Sequence, residues 1–390
     1  TKKLIFLFCR NIIVRPQWLH RVNCSSSNFR AERLVDVETS ERSSTPVIFF
    51  VNKCSGGRKG EQVYRTLVRL LNPRQVFLLE NDASITHALS IYSSLSNMRI
   101  CICGGDGTVA WVVHRLVEVF PSLTNPLICI LPLGTGNDMS RALGWGSEFR
   151  STRQLFETLT QIPRSLPVIL DRWTVHVEPL ETNESSKETT ERHHQPKFIR
   201  RTNEYHHAIP NNRFFLNYIS FGLDAAFVLD YHNRRLDDPT KFTSPLKNKI
   251  LCINESRKYF NDFVFGMTWN LSSYMRLICD GQDLTNSIQH CHSLVLLNTR
   301  SFASGSHPWR DFERQDFGDK KIEVLGLSTK QMALLRFGCH GLPIAQCSQV
   351  RIELNHSMPV HMDGGPFCLA GSSAVNITHA GQVMMLATLK

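Results

Sequence analysis

The chain has 390 residues, with 44 basic and 34 acidic side chains for a formal net charge of +10; 42% of it is hydrophobic and 20% charged. These values exclude a disordered or fibrous protein and allow two domains, three at most. The positive excess favours an anionic partner: nucleic acid, a membrane surface or a phosphorylated ligand. No basic run with interleaved aromatics marks a nucleic-acid surface, so nucleic acid is set aside, and no apolar run is long enough to span a bilayer.

Thr1 is not an initiator methionine, so the chain reads as a fragment or a processed form. Residues 1–45 read as a poorly packed lead-in. Within it, 4–14 is apolar but broken by Arg10 and Asn11, as in an interfacial anchor, a trimmed longer segment or an ordinary helix. A regular rhythm then begins. Residues 47–51 are wholly apolar, as in a strand buried on both faces. Residues 52–60 form a loop, and 62–71 carry Val63, Leu67, Leu70 and Leu71 at helical spacing until Asn72-Pro73 ends the helix. Residues 75–79 read as a strand. Ser84 is the expected cap of a helix carrying Ile85, Leu89 and Tyr92. Strand 99–103, helix 109–120 and strand 127–131 continue the alternation. Such alternation specifies a three-layer α/β unit over 46–170, a parallel sheet with helices on both faces, whose ligands bind beyond the carboxyl ends of the strands.

From Asp171 the texture changes. Residues 178–212 are polar and read as a long exposed insert. Short strand-like runs follow at 214–221, 274–279, 293–297, 322–327, 350–354 and 374–378. The expectation over 171–390 is a mainly antiparallel, β-sandwich-like domain, with its last strands packing back on the first.

Two glycine loops sit at the ends of successive strands, Gly104-Gly105-Asp106-Gly107-Thr108 and Pro132-Leu133-Gly134-Thr135-Gly136-Asn137-Asp138. Glycines let the backbone approach a phosphate, and the N–H groups at a helix start face the anion. Two such loops in register, each with an aspartate, point to a nucleotide with a metal ion. No Walker motif is present. The loop after the first strand, with Asn52, Ser55, Gly56 and Gly57, reads either as an ordinary turn or as a third phosphate contact on the same sheet edge. Asp138 reads equally as a helix N-cap. The twelve cysteines have no metal-site spacing and read as small buried hydrophobes in a reducing compartment.

These two loops, with Asn72-Pro73-Arg74-Gln75-Val76-Phe77, Gly144-Trp145-Gly146, Asp171-Arg172-Trp173, Asn217-Tyr218, Gly222-Leu223-Asp224-Ala225, Leu246-Lys247-Asn248-Lys249 and Asp363-Gly364, resemble the catalytic region of diacylglycerol kinases from about residue 46 to the C-terminus. The resemblance implies transfer of the γ-phosphoryl of ATP to the free hydroxyl of diacylglycerol, giving phosphatidic acid, by a magnesium-dependent, cytoplasmic, peripheral membrane enzyme. It implies that Asp106 and Asp171 are catalytic, with Asp106 contacting magnesium-nucleotide or accepting the lipid hydroxyl proton. Asn52, Ser55, Gly56, Gly57, Gly104, Gly105, Gly107, Thr108, Gly134, Thr135, Gly136, Asn137 and Asp138 would then line the nucleotide. Asp106, Asp138 and Asp319 would hold metal, Asp319 as a structural site.

One departure stands out. The family usually reads Asp-Gly-Glu-Pro where this chain has Asp363-Gly364-Gly365-Pro366. Glycine has no carboxylate, and losing a general base commonly costs about 10²- to 10⁴-fold in rate. Two alternatives stay open: a weakly active or inactive member binding nucleotide or lipid as a regulatory module, and a sphingosine- or ceramide-type kinase sharing the nucleotide loop. The zinc fingers of animal members are not in this chain, so basic clusters at Arg200-Arg201, Arg234-Arg235 and Lys247/Lys249 are either contacts for an anionic membrane or simply solvated surface.

Overall fold

The computed structural model describes residues 11–21, 29–31, 44–95, 97–121, 123–180, 214–238, 270–310 and 315–388. Most of the polar insert, and the clusters Arg200-Arg201 and Lys247/Lys249, lie outside the described residues. Two compact units emerge, residues 1–170 with 382–390, and residues 171–381.

In the first unit, β1 (Val47–Val51), β2 (Val76–Leu78), β3 (Arg99–Gly104) and β4 (Leu127–Pro132) are parallel, in the order β4-β3-β1-β2. Val51, Cys103 and Leu131 stand level in this register, so the loops that follow leave one edge together. β1 and β3 are buried along their whole length, as the apolar runs 47–51 and 100–103 within them require. Between the strands run α1 (Ser55–Leu70), α2 (Asp82–Tyr92) and α3 (Asp106–Val119), followed by α4 (Asp138–Ala142) and α5 (Thr152–Gln161).

Three local expectations change. Residues 55–60 belong to α1, which is interrupted by left-handed backbone at Gly56, Gly57 and Arg58. Ser84 is not the cap of α2: Asn81 is, since it is the residue still in extended backbone and its side chain accepts the Ser84 N–H, while Ser84 lies inside the first turn. The lead-in is not uniformly loose, since Ile12, Val14 and Trp18 are buried. There the buried Gln75 amide acts as a cross-brace, accepting from Val14 N–H and donating to the Ile12 and Val47 carbonyls. Such an amide satisfies backbone groups that a short irregular segment cannot pair for itself.

The second unit is antiparallel. Its elements are the continuation of β5 (Leu166–Pro179), β6 (Phe214–Phe215), β7 (Tyr218–Gly222), α6 (Leu223–Asp237), β8 (Met275–Cys279), β9 (Ser293–Leu297), β10 (Ile322–Leu327), α7 (Thr329–Leu334), β11 (Leu342–Cys347), β12 (Gln349–Leu354), β13 (Met358–Met362), β14 (Gly365–Leu369) and the start of β15 (Ser373–Ala387). Six strands form a sheet ordered β11-β10-β9-β7-β13-β14. Strict alternation sorts its faces: Ile219 and Phe221 join the main core with Trp173, Met275 and Leu294, while Tyr218 joins Val295, Leu297, Phe302 and Trp309 in a second cluster. β12 pairs with β8 on one side and with residues 373–378 of β15 on the other. Residues 382–388 return to the first unit, where Met385 pairs in parallel with Ile128 of β4 and the Trp145 indole N–H donates to the Leu386 carbonyl.

Candidate functional site

The three loops at the carboxyl ends of β1, β3 and β4 are tied to one another before any ligand is considered. Asn52 donates its side-chain amide to the Thr108 hydroxyl at 3.1 Å, and its backbone N–H to the Cys103 carbonyl. Leu133 N–H donates to the Gly104 carbonyl at 2.9 Å. At Gly105 and Gly134 the two backbones touch: a Cβ on Gly134 would stand 2.6 Å from the Gly105 Cα. The glycines are therefore required by loop-to-loop contact as well as by any phosphate. Gly56, at φ 65°, is held equally closely, since a Cβ there would meet the Leu133 carbonyl oxygen at 2.5 Å. The loop after β1 is thus packed directly against the other two.

Asp106 joins the second and third loops. Its two carboxylate oxygens accept the N–H groups of Asp138 and Met139, each at 3.0 Å. Asp106 so caps α4 from outside, and Asp138 is the first residue of that helix, not its cap. The cap position falls to Asn137, in left-handed backbone at φ 54°, whose amide donates to the Gly134 and Ser147 carbonyls at 2.8 Å. Gly107 and Thr108 lie in the first turn of α3, Thr108 buried, and Thr135 and Gly136 complete the turn between β4 and Asn137. Ser55 opens α1 beside Gly56 and Gly57. All the nucleotide-loop residues expected from sequence therefore sit on one sheet edge of the first unit.

The other two expected aspartates lie in the second unit. Asp171 is completely buried; its carboxylate accepts Lys320 N–H at 2.6 Å and lies 2.9 Å from His379 Nε2. Asp319 accepts Lys321 N–H at 2.9 Å. Burial raises its pKa, and the neighbouring charges of Asp171 and Asp316 raise it further. Glu323, which sequence reading missed, is fully buried beside them, its oxygens accepting from the Gln315 and Gln346 amides at 2.9 and 3.1 Å. Burial pushes it up to about 7. Its only sequence signal is a charged residue in an otherwise apolar strand.

A carboxyl raised above its ordinary value holds, when folded, a proton that the unfolded chain releases. Its stabilisation is complete below about pH 4.5 and is lost as pH rises through about 7. Glu323→Gln is therefore expected to stabilise the protein at pH 8 by up to about 3 kcal/mol and to change little at pH 4. Thermal melts at the two pH values check this; an equal shift at both would contradict it.

Two further residues organise the second unit. Asn298 donates to the Asp171 and Leu216 carbonyls at 2.8 and 2.6 Å and accepts the Trp173 indole N–H at 2.9 Å. Asp363 accepts the N–H groups of Leu216, Asn217 and Tyr218 at 2.6, 2.8 and 3.1 Å. Gly365, two residues on, is exposed, and a Cβ there would meet nothing closer than the Met362 carbonyl oxygen at 3.4 Å.

Among the described residues no group of three or more His, Cys, Asp or Glu side chains is spaced to enclose a metal ion.

Comparison with known proteins agrees with this arrangement. Residues 46–166 match the diacylglycerol kinase catalytic domain and residues 214–366 the diacylglycerol kinase accessory domain. The chain is 36% identical over 351 residues to the eye-specific diacylglycerol kinase of Drosophila melanogaster, covering 88% of this chain and 23% of that protein. It is 34% identical over 354 residues to human diacylglycerol kinase zeta (88% and 36%), and 35% identical over 352 residues to human diacylglycerol kinase iota (87% and 31%). The chain thus spans well under half the length of these relatives. A solved structure of a candidate diacylglycerol kinase from Bacillus anthracis str. Sterne matches with TM-score 0.53 and 15% identity over 88% of this chain and 97% of that one, a likeness of fold alone. With both domains matched in order and the interlocked glycine loops in place, the chain belongs to the diacylglycerol kinase family.

Proposed function

We propose that this chain is the catalytic region of an ATP-dependent diacylglycerol kinase, with 46–170 as the nucleotide-binding domain and 171–390 as the accessory domain. In finer detail, this reading takes the first as a three-layer α/β domain and the second as sandwich-like. The carrying observation is the interlocked edge of the first unit, where Asp106 spans from the second glycine loop to the start of α4 and Gly105 touches Gly134. Phosphoryl transfer needs positioning and charge stabilisation more than covalent chemistry from the protein. A rigid edge of backbone N–H groups supplies both at no reorganisation cost during the reaction. Magnesium, when bound with ATP, neutralises phosphate charge. Asp106 and Asp138 would hold it, and Asp106 would also accept the proton of the lipid hydroxyl. Asp171 acts from within its own hydrogen-bond network, and Asp319, crowded by like charge, suits a structural cation. Diacylglycerol is met at an anionic membrane surface from the cytoplasmic side. No helix among the described residues is long and apolar enough to cross a membrane.

The test is phosphatidic acid formation from labelled ATP and diacylglycerol in mixed micelles, with and without magnesium. Magnesium-dependent product is expected; no product alongside retained magnesium-ATP binding would leave the regulatory reading in its place. Gly365→Glu adds a decisive arm, because the exposed position accepts a side chain without a clash. If the missing carboxylate limits the rate, this variant is expected to be faster by about 10². Unchanged turnover would show that the rate does not depend on a carboxylate at this position.

A further inference from the structure

Between Glu323 and Glu353 the sequence contains no acidic residue, while Lys330, Arg336 and Arg351 fall in that stretch. In the middle of it the fold leaves apolar side chains largely or half uncovered by the described residues. α7 runs into a further helical turn (Leu335–Phe337) that is closed by Gly338 in left-handed backbone at φ 84°. Gly338 N–H donates to the Leu335 carbonyl, and Cys339 N–H to the Leu334 carbonyl. These two bonds form a Schellman cap, which fixes the turn. The start is fixed as well, by a capping box between Ser328 and Gln331. The base is anchored by Leu335, buried in the cluster with Tyr218 and Trp309, and by Gly341 N–H donating to the Pro308 carbonyl.

On this fixed tip Phe337 is 86% exposed, Leu334 49% and Leu342 44%. They are three of the seven large hydrophobic side chains exposed among the described residues, and they fall within nine positions of one another. A well-ordered turn that displays a phenylalanine and buries so little of it gains little for folding from that residue. Lys330 and Arg336 are exposed beside it, and β11, which follows, is an outer strand of the six-stranded sheet.

We propose that the 330–342 tip is the membrane-docking element of the second unit: Phe337 and Leu334 enter the acyl boundary of an anionic bilayer while Lys330 and Arg336 meet its headgroups. The occupant follows from charge complementarity along an acid-free stretch, and from a substrate that resides in a bilayer; in that second respect the proposal rests on the diacylglycerol kinase reading. An apolar tip flanked by basic residues combines shallow apolar burial with attraction to anionic lipid, the two contributions that hold interfacial segments at a membrane.

The experiment is co-sedimentation of the 390-residue chain with vesicles of phosphatidylcholine alone and of phosphatidylcholine with phosphatidylserine. Wild type is expected to bind the anionic vesicles more tightly. Phe337→Ala is expected to weaken binding to them about tenfold. Lys330→Gln with Arg336→Gln is expected to weaken it about tenfold on anionic vesicles and hardly at all on neutral ones. Vesicle binding by Phe337→Ala equal to wild type would overturn the proposal, as would a wild type that does not sediment with anionic vesicles. So would a change of oligomeric state in Phe337→Ala at unchanged vesicle binding, which would make the tip a contact between copies of the chain. Phosphorylation of a short-chain, water-soluble diacylglycerol separates this from the functional reading. It is expected to be equal in wild type and Phe337→Ala, and its absence in both would sink the kinase assignment while leaving the vesicle result to stand by itself.

Discussion

Asp106→Asn is expected to lower phosphatidic acid formation by about 10²- to 10⁴-fold while the protein stays folded. The carboxylate receives two backbone N–H groups from the start of α4. Asparagine keeps one oxygen but turns an amide N–H₂ toward the other donor, so one of the two bonds becomes a clash between donors. Losing a cap of this kind costs about 1 kcal/mol, a small fraction of a domain's stability. The variant also loses the negative charge next to which a magnesium ion would sit. Turnover and thermal melting measured together separate the two effects. A melting temperature nearly unchanged with turnover lost assigns the residue to the chemistry; turnover within tenfold of wild type would confine it to holding α4.

The second large effect belongs to the aspartate before the altered glycine. Asp363→Ala should destabilise the second unit by about 3–5 kcal/mol, because three buried N–H groups, those of Leu216, Asn217 and Tyr218, lose a charged acceptor together. In a unit of this size that corresponds to a melting shift on the order of 10 °C. Asp363→Asn, which keeps one oxygen, should lose roughly half as much. A melt unchanged in the alanine variant would mean that these N–H groups find other acceptors. The contrast with Gly365→Glu is sharp: two positions apart, one side chain holds three backbone donors and the other position is exposed, with only the Met362 carbonyl oxygen in van der Waals range of a Cβ.

The first unit was legible in the sequence because its signals are local. The runs 100–103 and 127–131 are wholly apolar and each leads into a glycine loop, so strand, loop and candidate ligand edge are read together. Helix starts were less legible: the left-handed stretch Gly56–Arg58 hid the first turn of α1, and Ser84 stood close enough to Asn81 to be mistaken for the cap. The second unit was legible as strands, with 293–297 and 322–327 read at their observed bounds. Its interior polar network was not. Asn298 and His379 meet Asp171 only through long-range pairing, and no spacing along the chain announces that. Glycines in the loops were read as phosphate contacts; that Gly105 and Gly134 must also clear each other could be seen only in three dimensions.

The return of residues 382–388 to the first unit has a consequence for synthesis. β4, an apolar strand, has β3 on one side and receives its other neighbour from β15, through Met385 opposite Ile128. Asn125 likewise makes reciprocal bonds with Met384, donating to its carbonyl at 3.2 Å and accepting its N–H at 3.0 Å. On the ribosome these partners emerge only after the whole second unit has been translated. Throughout that interval β4 presents an unpaired, sticky edge of the sort that invites pairing with other chains. Until residues 382–388 are made, the nascent first unit carries an open sheet edge that a chaperone would have to shield.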